Sequence, residues 1–234
     1  MSCLTNCPLI YMKLLFSFLF LFITFESIGE PIRLKEVRES YNVKTKGITI
    51  GNLDWQVKLE KKTYTTSINL KSKGPLSLVY KFRGYYETKG IIKNDILVPE
   101  KYTQKWKTKN KQRNIDLIFE KNKIIDLKIQ PKEKEFKRIN FLELEGYSDP
   151  LTSFLNIFLN NLNSKTIDGR RIYVLSPNKT NDYTKVLIKN YTNIWADHNK
   201  NDLEYLEIFQ NYEEGLPYKI NIKFKGSVFV IKKL

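Results

Sequence analysis

Carboxylate pairs are the residues of this chain that come closest to a recognisable catalytic arrangement. Glu143 and Glu145 are two positions apart, so a strand would place both on one face, where they could act as an acid and a base. Glu213 and Glu214 form a second pair. Carboxylates on strands are far more often solvated than catalytic. We therefore assign no catalytic residue and expect no enzyme, with a carboxylate-based hydrolase as the alternative.

Metal and thiol chemistry have few ligands available. His198 is the only histidine, which excludes a histidine-rich metal site. Cys3 and Cys7 are the only cysteines, and both precede the apolar N-terminal segment described below. If that segment is removed, the mature chain has no thiolate for catalysis, zinc binding or redox work.

One polar loop superficially matches a calcium-binding loop. Asp197, Asn199 and Asn201 occupy its first three ligand positions. However, Asp202 stands where the loop needs glycine, and Ile208 stands where it needs the bidentate glutamate. The sequence therefore predicts no metal site, and we expect no cofactor.

Phosphate-binding motifs are also missing. The chain has no G-x-S-x-G, P-loop or dinucleotide-binding glycine pattern. The segment Asp168–Arg171, Asp-Gly-Arg-Arg, could bind an anion, but Asp-Gly between apolar runs is first of all a turn.

A lysine-rich segment, Lys101–Arg113, offers a more extended cationic surface. Lys105, Lys107 and Lys109 alternate with Tyr102, Gln104, Trp106 and Thr108. Aromatic and basic side chains on one strand superficially resemble a platform for single-stranded nucleic acid. The alternatives are a solvated hairpin and a face for an anionic partner, such as lipid head groups or an envelope glycolipid.

The overall charge does not decide between these alternatives. The chain of 234 residues carries a net charge of +15, but only seven of its 40 basic residues are arginine. Abundant lysine together with asparagine and isoleucine is typical of A/T-rich codon usage. A dedicated phosphate binder would more often use arginine at its contacts.

The N-terminal region has the layout of a secretory signal peptide. Lys13 precedes Leu14–Phe25, a run that is apolar apart from one serine and one threonine. Ser27 and Gly29 then place small residues at the positions that precede a cut before Glu30. The run is too short for a comfortable transmembrane helix. The alternative is an uncleaved membrane anchor.

Several expectations follow for residues 1–29 and for the compartment. Met12 followed by Lys13 is a more natural start than Met1, and we expect translation to begin there. No cysteine follows the apolar run, so the chain is not expected to be a lipoprotein. We expect a periplasmic monomer with peripheral membrane contact at most, and export argues against a nucleic-acid partner.

The mature part, 30–234, is predicted to be one mainly β domain. From Arg38 to Lys132, and again after Lys165, apolar and polar residues alternate with a period of two between turn signals. About ten strands result. So large a sheet exposes an apolar face unless it curves or is covered.

One helix, over 149–162, is the cover that the chain itself supplies. Asp149 and Pro150 are suited to its first turn, and no charged residue follows until Lys165. We predict a curved antiparallel sheet or unclosed barrel with this helix on its concave face. The alternative is a two-sheet sandwich with the helix at one end. The apolar face of the helix consists of Leu151, Phe154, Leu155, Phe158, Leu159 and Leu162.

Several short motifs together resemble the bacterial exported family known as domain of unknown function 3108. They occur in the expected order along nearly the whole mature chain, and residues 191–207 look like an insertion. By fold analogy alone, the family also resembles the unclosed barrels of periplasmic lipoprotein carriers. The resemblance implies no catalytic residues. The motifs are 41–43 with 47–51, 72–80, 97–102, 146–152, 168–171 and 215–218.

The function predicted from these features is a non-catalytic carrier for a lipid or other amphiphilic ligand of the cell envelope. The alternative is an envelope interaction protein that docks a partner through a sheet edge or the lysine-rich face of Lys105, Lys107 and Lys109. The ligand-binding side chains are expected to be Leu151, Phe154, Leu155, Phe158, Tyr80 and Phe82.

The export hypothesis predicts where the mature protein begins. N-terminal sequencing of the protein purified from its native host should give Glu30 as the first residue, because small residues at 27 and 29 fit the cleavage site. A product that begins at Met1 or Met12 would contradict export.

Overall fold

Alternating side chains fold this chain into strands, as residues 48–59 illustrate. Leu53, Trp55 and Val57 are buried on one face. Asp54, between the first two, and Lys58, after the third, are exposed. This is the period-two pattern of a strand with one face in a core. The structure is a computed structural model that describes residues 36–74, 77, 81–196, 201–211 and 215–234.

The described residues form fourteen strands, one α-helix and a short 3₁₀ helix at Phe141–Glu143. None of the helices in this part of the chain has both the length and the apolar content needed to cross a membrane. The helix α1 is Pro150–Asn160. The strands are β1 (Glu36–Thr45), β2 (Ile48–Leu59), β3 (Thr63–Ser72), β4 (Arg83–Lys93), β5 (Ile96–Lys107), β6 (Gln112–Glu120), β7 (Lys123–Gln130), β8 (Tyr147–Ser148), β9 (Ser164–Ile167), β10 (Arg171–Lys179), β11 (Thr184–Asn193), β12 (Leu203–Phe209), β13 (Lys219–Phe224) and β14 (Ser227–Lys233).

All strands belong to a single sheet with the order β7-β6-β5-β4-β3-β2-β1-β14-β13-β12-β11-β10-β9-β8. Neighbours are antiparallel, except that β8 and β9 are parallel. The chain ends meet in the middle, where β1 pairs with β14. The prediction of a mainly β fold with a large curved sheet is thus confirmed in outline. The two-sheet sandwich is wrong, because the ladder is continuous from β7 to β8.

The strand number was underestimated, since about ten strands were expected. Two of the extra strands, β8 and β9, have only 2 and 4 residues and carry no clear alternation. Pro99 also appeared to end a segment, yet β5 continues through it. Proline is tolerated there because β6 pairs with β5 only from Lys101 onward, so no partner strand needs the missing N–H.

The sheet is nearly closed and barrel-like, because its two edges approach each other. Tyr102, Phe119 and Ile124, from β5 to β7, share one buried cluster with Ile167 of β9 and Ile194. Strands at opposite ends of the order can share a core only if the sheet curves until its ends approach. The two edge strands, β7 and β8, are not joined by a ladder of hydrogen bonds.

An ionic contact links the same two edges. Glu133 lies between Arg113 of β6 and Arg170 of the β9–β10 turn and pairs with both guanidinium groups. Its side chain is only 7% exposed. A carboxylate with so little water around it requires such partners.

The helix α1 has well-formed caps at both ends. It begins one residue inside and ends two residues inside the predicted range of 149–162. Asp149 is the N-cap, and its side chain accepts hydrogen bonds from the amides of Leu151 and Thr152. Asn161 ends the helix in the left-handed conformation, at φ 53°. Leu162 therefore lies beyond the helix and is 40% exposed, which corrects its assignment to the buried face.

The polar side of α1 is buried as well as the apolar side. Asn156 accepts a hydrogen bond from the amide of Leu97 at 2.9 Å and donates one to its carbonyl at 2.8 Å. Leu97 lies where β5 has no partner in β6. The asparagine amide thus takes the place of a neighbouring strand. Ser153 likewise accepts hydrogen bonds from Ser164 and Thr166 of β9, both at 2.8 Å.

Asp149 is the centre of a buried network that joins the helix start to two strands. Its carboxylate accepts hydrogen bonds from the hydroxyls of Thr88 and Thr152 and from two helix amides. Because Thr152 donates to Asp149, Tyr64 donates in turn to Thr152 at 2.6 Å. Burial raises the pKa of Asp149 above its usual range, and these hydrogen bonds oppose the rise.

Replacement of Asn156 by alanine should destabilise the protein by about 2–4 kcal/mol, because two buried backbone groups of Leu97 lose their partner. Asn160→Ala is the matched control. It removes a single hydrogen bond, to the carbonyl of Asp95 at an exposed site, and should cost less than about 1 kcal/mol. Urea unfolding followed by tryptophan fluorescence measures both. Equal losses would contradict the strand-substituting role of Asn156.

The raised pKa of Asp149 predicts a pH-dependent stability. A carboxyl group whose folded pKa exceeds its unfolded value stabilises the fold at low pH and loses that contribution as pH rises through the folded pKa. The unfolding free energy of the native protein, relative to Asp149→Asn, should therefore fall between about pH 3 and pH 7. Asn keeps the cap but does not titrate. A difference that grows with pH would show that the hydrogen bonds outweigh burial.

Candidate ligand-binding cavity

The helix fills only one half of the space that the sheet encloses. Its C-terminal end lies beside the β4–β5 turn, where Asn160 donates to the carbonyl of Asp95 at 3.0 Å. Its first turn reaches the middle of the strands, where Asp149 contacts Thr88 and Thr152 contacts Tyr64. The part of the chain that the structure describes lines the interior beyond that first turn mainly with strands.

A cavity of about 420 Å³ occupies this second half of the interior. Its walls come from strands on both sides of the barrel, and its floor is the first turn of α1. Apolar side chains dominate the lining, which is typical of ligand pockets. The principal apolar lining residues are Leu53, Trp55, Ile68, Leu70, Leu151, Phe154, Leu175, Leu203, Leu206, Ile220, Ile222 and Ile231.

Aromatic packing shapes the floor of the cavity. The rings of Phe154 and Trp55 meet edge-to-face with centroids 5.3 Å apart. Phe154 also packs on the cluster of Tyr173, Leu175 and Leu206 from the opposite wall. This one phenylalanine therefore contacts β2 on one side and β10 on the other.

Few polar groups reach the cavity, and most are neutral. The hydroxyl of Tyr102 donates to Gln104 at 3.1 Å, and both residues line the wall. Burial raises the pKa of Tyr86 to about 12, and it raises the pKa of Tyr173 further. These phenols are therefore uncharged hydrogen-bonding groups at any physiological pH.

Asp168 is the one acidic residue in the lining. It is enclosed by protein, yet it keeps accessible surface because it borders the cavity. Its carboxylate accepts hydrogen bonds from the amides of Arg170 and Arg171, at 2.8 and 2.7 Å. Burial raises the pKa of Asp168, while these amides and the two guanidinium groups lower it. The Asp-Gly turn expected from the sequence is present, with Gly169 at φ +89°.

The side chains expected to bind ligand are only partly brought together. Leu151 and Phe154 line the cavity. Neither Leu155 nor Phe158 is part of the lining. Leu155 is completely buried, and Phe158 packs on the cluster that contains Tyr173. Phe82 stacks on Trp106 with centroids 6.5 Å apart, and Tyr80 lies outside the described residues.

The predicted anionic-partner face lies on the outside of the sheet. Lys105 and Lys107 are exposed on β5, while Lys109 belongs to the following turn rather than to the strand. Residues adjacent on β3 and β4 add further positive charge, since Lys107 is directly opposite Arg83 and Arg83 is opposite Lys71. A shallow depression of about 330 Å³ includes all four strand cations.

The structure does not bring the described residues of the other candidate sites together into a site. Glu143 lies in the 3₁₀ helix, so it shares no strand face with Glu145, which corrects the geometry assumed for that pair. Glu145 pairs with Lys123, whose hydrogen bond and charge lower its pKa. Several predicted features lie outside the described residues. They are the predicted signal peptide at 1–29, Cys3 and Cys7, His198 with Asp197 and Asn199, and Glu213 with Glu214. Among the described residues, no group of three His, Cys, Asp or Glu side chains is placed to hold a metal ion.

Half of the cavity wall was not identified from the sequence. Tyr173, Leu206 and Ile222 come from the C-terminal strands. Alternation marks each of them as facing a core, but it does not show that their strands lie across the barrel from β2 and β3. The pairing of β1 with β14 and the approach of the two sheet edges bring the two halves together.

A larger hollow of about 490 Å³ lies at the other end of the helix. Its lining includes Pro99, Ser148 and Asn163, with the charged Lys165. It therefore lacks the continuous apolar surface of the interior cavity and is the weaker candidate for an amphiphile.

Comparisons with known proteins give a family and a structural neighbour. The family model described as protein of unknown function (DUF3108) matches residues 40–189, which confirms the resemblance seen in the motifs, although 215–218 lies beyond the match. A solved structure described as a beta-barrel-like protein of domain of unknown function DUF1849 from Brucella abortus is similar, with 12% identity and a TM-score of 0.49. That similarity covers 84% of this chain and 95% of the other. Comparison with curated proteins gives no match.

Proposed function

The chain belongs to the DUF3108 family of proteins of unknown function, and we propose that it is a non-catalytic carrier that binds a lipid or other amphiphile in the barrel. The observation that carries this proposal is the cavity of about 420 Å³ beyond the first turn of α1. Ligand pockets typically have volumes of about 300–1,000 Å³ and predominantly apolar walls.

The chemistry of the lining favours binding over catalysis. Its phenols are held uncharged by burial, and its one carboxylate, Asp168, is engaged by the amides of Arg170 and Arg171. A hydrolase would need a second titrating group placed beside the first. The Glu143 and Glu145 pair supplies none, because Glu145 is paired with Lys123.

The proposed place of action is the cell envelope. Support comes from the sequence of the N-terminal region, where Lys13, the apolar run Leu14–Phe25 and the small residues Ser27 and Gly29 have the order of a signal peptide. An amphiphile in transit between membranes needs a carrier with an apolar interior and a soluble exterior. In this proposal the protein combines an apolar interior with a soluble exterior and acts as a monomer.

Docking of a protein partner is the second candidate function. It rests on the exposure of Lys105 and Lys107 on the outer face of β5. Pull-down from a periplasmic extract with both residues reversed to glutamate would test it. Loss of a captured partner in the reversed variant, with ligand binding unchanged, would favour this alternative over the carrier.

The carrier proposal is tested first on protein purified from its native host without detergent. Native mass spectrometry should show a fraction of the protein with an added amphiphile, released as a free species after denaturation. Delipidated protein should then bind the fluorescent probe N-phenyl-1-naphthylamine and release it when a lysophospholipid is added. Protein that retains no amphiphile and does not bind the probe would refute the proposal.

A cavity-filling variant locates the binding site. Ile222→Trp replaces an aliphatic side chain of β13 with a larger indole ring that fills part of the cavity. Because cavity volume is lost, the variant should bind N-phenyl-1-naphthylamine about tenfold more weakly or worse. Leu187→Trp is the matched control, because Leu187 is 40% exposed on β11 and is not part of the lining. Urea unfolding verifies that both variants fold. Equal binding by the two variants would place the probe elsewhere.

A further inference from the structure

We infer that the ligand of the cavity is an amphiphile whose phosphate-containing head group carries a net negative charge. Its chain enters the cavity, while its head group stays at a row of cations at one end of the barrel. This inference rests on the proposed carrier function and specifies its ligand class. The supporting observation is where the cationic side chains lie relative to the cavity, and the net charge of the chain is not used.

Strand directions define which turns surround the cavity end. In the antiparallel sheet, β1, β3, β5 and β13 run in one direction, so the turns that follow them lie at the same end of the barrel. The helix C-terminus lies at the opposite end, beside Asp95. The cavity lies on the other side of the helix start, so these four turns border its end. The connections that follow β7, β9 and β11 lie at the same end, because these strands run in the same direction. We call the four turns, with the strand ends that flank them, the rim.

Lysine dominates the rim. Each of the four turns carries at least one exposed lysine, and the flanking strand ends add more cations. Several acidic side chains lie at the same end and are engaged by the protein itself. Asp202 is paired with Lys225, and Glu133 is paired with Arg113 and Arg170. Asp168 accepts hydrogen bonds from the amides of Arg170 and Arg171. The cations are Lys46, Lys71, Lys73, Lys81, Arg83, Lys107, Lys109, Lys111 and Lys225.

The opposite end of the barrel has a balanced charge. Its described turns carry Glu60, Asp95 and Asp182 together with Lys61, Lys62 and Lys121. Glu60 is paired with Lys58 at 2.7 Å. The difference therefore holds for the hairpin turns, whereas the strand ends at the opposite end also carry lysines, among them Lys58, Lys93 and Lys123.

Three rim cations are arranged in a row that is unfavourable without an anion. Lys71, Arg83 and Lys107 are directly opposite one another on β3, β4 and β5. Like charges at opposed positions of a sheet repel. Among the described residues none of the three has an ion-pair partner, and the next position across, on β6, is the neutral Gln112. A bound phosphate would convert this repulsion into attraction, and Arg83 would supply a planar fork for it.

The row lies on the outer face of the sheet, next to the apolar cavity on the inner face. Leu70 lines both the interior cavity and the shallow depression that contains Lys71, Arg83 and Lys107. An amphiphile with its chain against Leu70 inside the barrel therefore has its head group within reach of the row outside. An uncharged or cationic head group would gain nothing from this arrangement.

The test compares two lysophospholipids with the same acyl chain as displacers of N-phenyl-1-naphthylamine from delipidated full-length mature protein. Lysophosphatidylglycerol is anionic and lysophosphatidylcholine is zwitterionic. We expect the anionic lipid to bind about tenfold more tightly at about 20 mM salt, with the preference falling to about twofold at about 500 mM. A preference that does not change with salt would overturn the inference.

Charge reversal assigns the preference to the rim. Lys71→Glu, Arg83→Glu and Lys107→Glu in combination should abolish the preference while N-phenyl-1-naphthylamine still binds. Lys61→Glu, Lys62→Glu and Lys121→Glu change the net charge equally at the opposite end and should leave the preference at about tenfold. Equal loss in both triple variants would show a general effect of net charge and overturn the assignment. If the rim variant fails to fold, the salt dependence of the native protein remains decisive.

Two further outcomes separate the hypotheses. If the probe does not bind native protein, the carrier proposal itself fails. If the probe binds but both lipids displace it equally, only the assignment of an anionic head group fails. Inorganic phosphate, measured by isothermal titration, should bind at least about tenfold more weakly than lysophosphatidylglycerol. Equal affinities would show a phosphate site independent of the cavity and would overturn the inference.

Discussion

The interior of this protein depends on the pairing of peptide groups that the sheet leaves without a partner strand. At Leu97, β5 extends beyond the region that pairs with β6, and its amide and carbonyl point into a water-poor interior. Asn156 pairs with both groups. At the other end of the helix, Asp149 pairs with the free amides of the first turn. Unpaired, each such group would cost about 1–3 kcal/mol.

This pairing explains why the interior is not filled. Apolar contacts are non-directional, so a helix held only by them could move until the space around it closed. Hydrogen bonds from Asn156 to Leu97 and from Thr88 to Asp149 fix α1 along the barrel axis as well as across it. The helix begins at Pro150, midway along the strands, and the space beyond it is the cavity. The polar residues of the helix thus determine where the cavity lies.

The sequence predicted the sheet and the buried helix, because period-two alternation and the charge-free segment after Asp149 are local patterns. It did not predict the role of the polar helix residues. The apolar spacing of the helix does not reveal that Thr152, Ser153 and Asn156 are buried and paired, since no local pattern shows which backbone groups of β5 lack a partner. For the same reason, the lining from β10 to β14 was missed, whereas Leu151 and Phe154 were found. Long-range pairing decides both, and periodicity does not contain it.

Electrostatics distinguishes the wall of the cavity from the rim, although Asp168, in the turn after β9, lies toward the same end of the barrel as the rim. At its wall, Asp168 is shielded from water and has a raised pKa, so an anionic head group placed beside it would lose hydration and meet a carboxyl group. At the rim, Lys71, Arg83 and Lys107 are exposed to water. They can attract an anionic head group there while the cations and the head group both stay hydrated. If the cavity binds an anionic amphiphile, as proposed, these charges favour one orientation, with the chain inside and the head group outside. That polarity would let the protein take up and release such a ligand at a membrane surface through the same end.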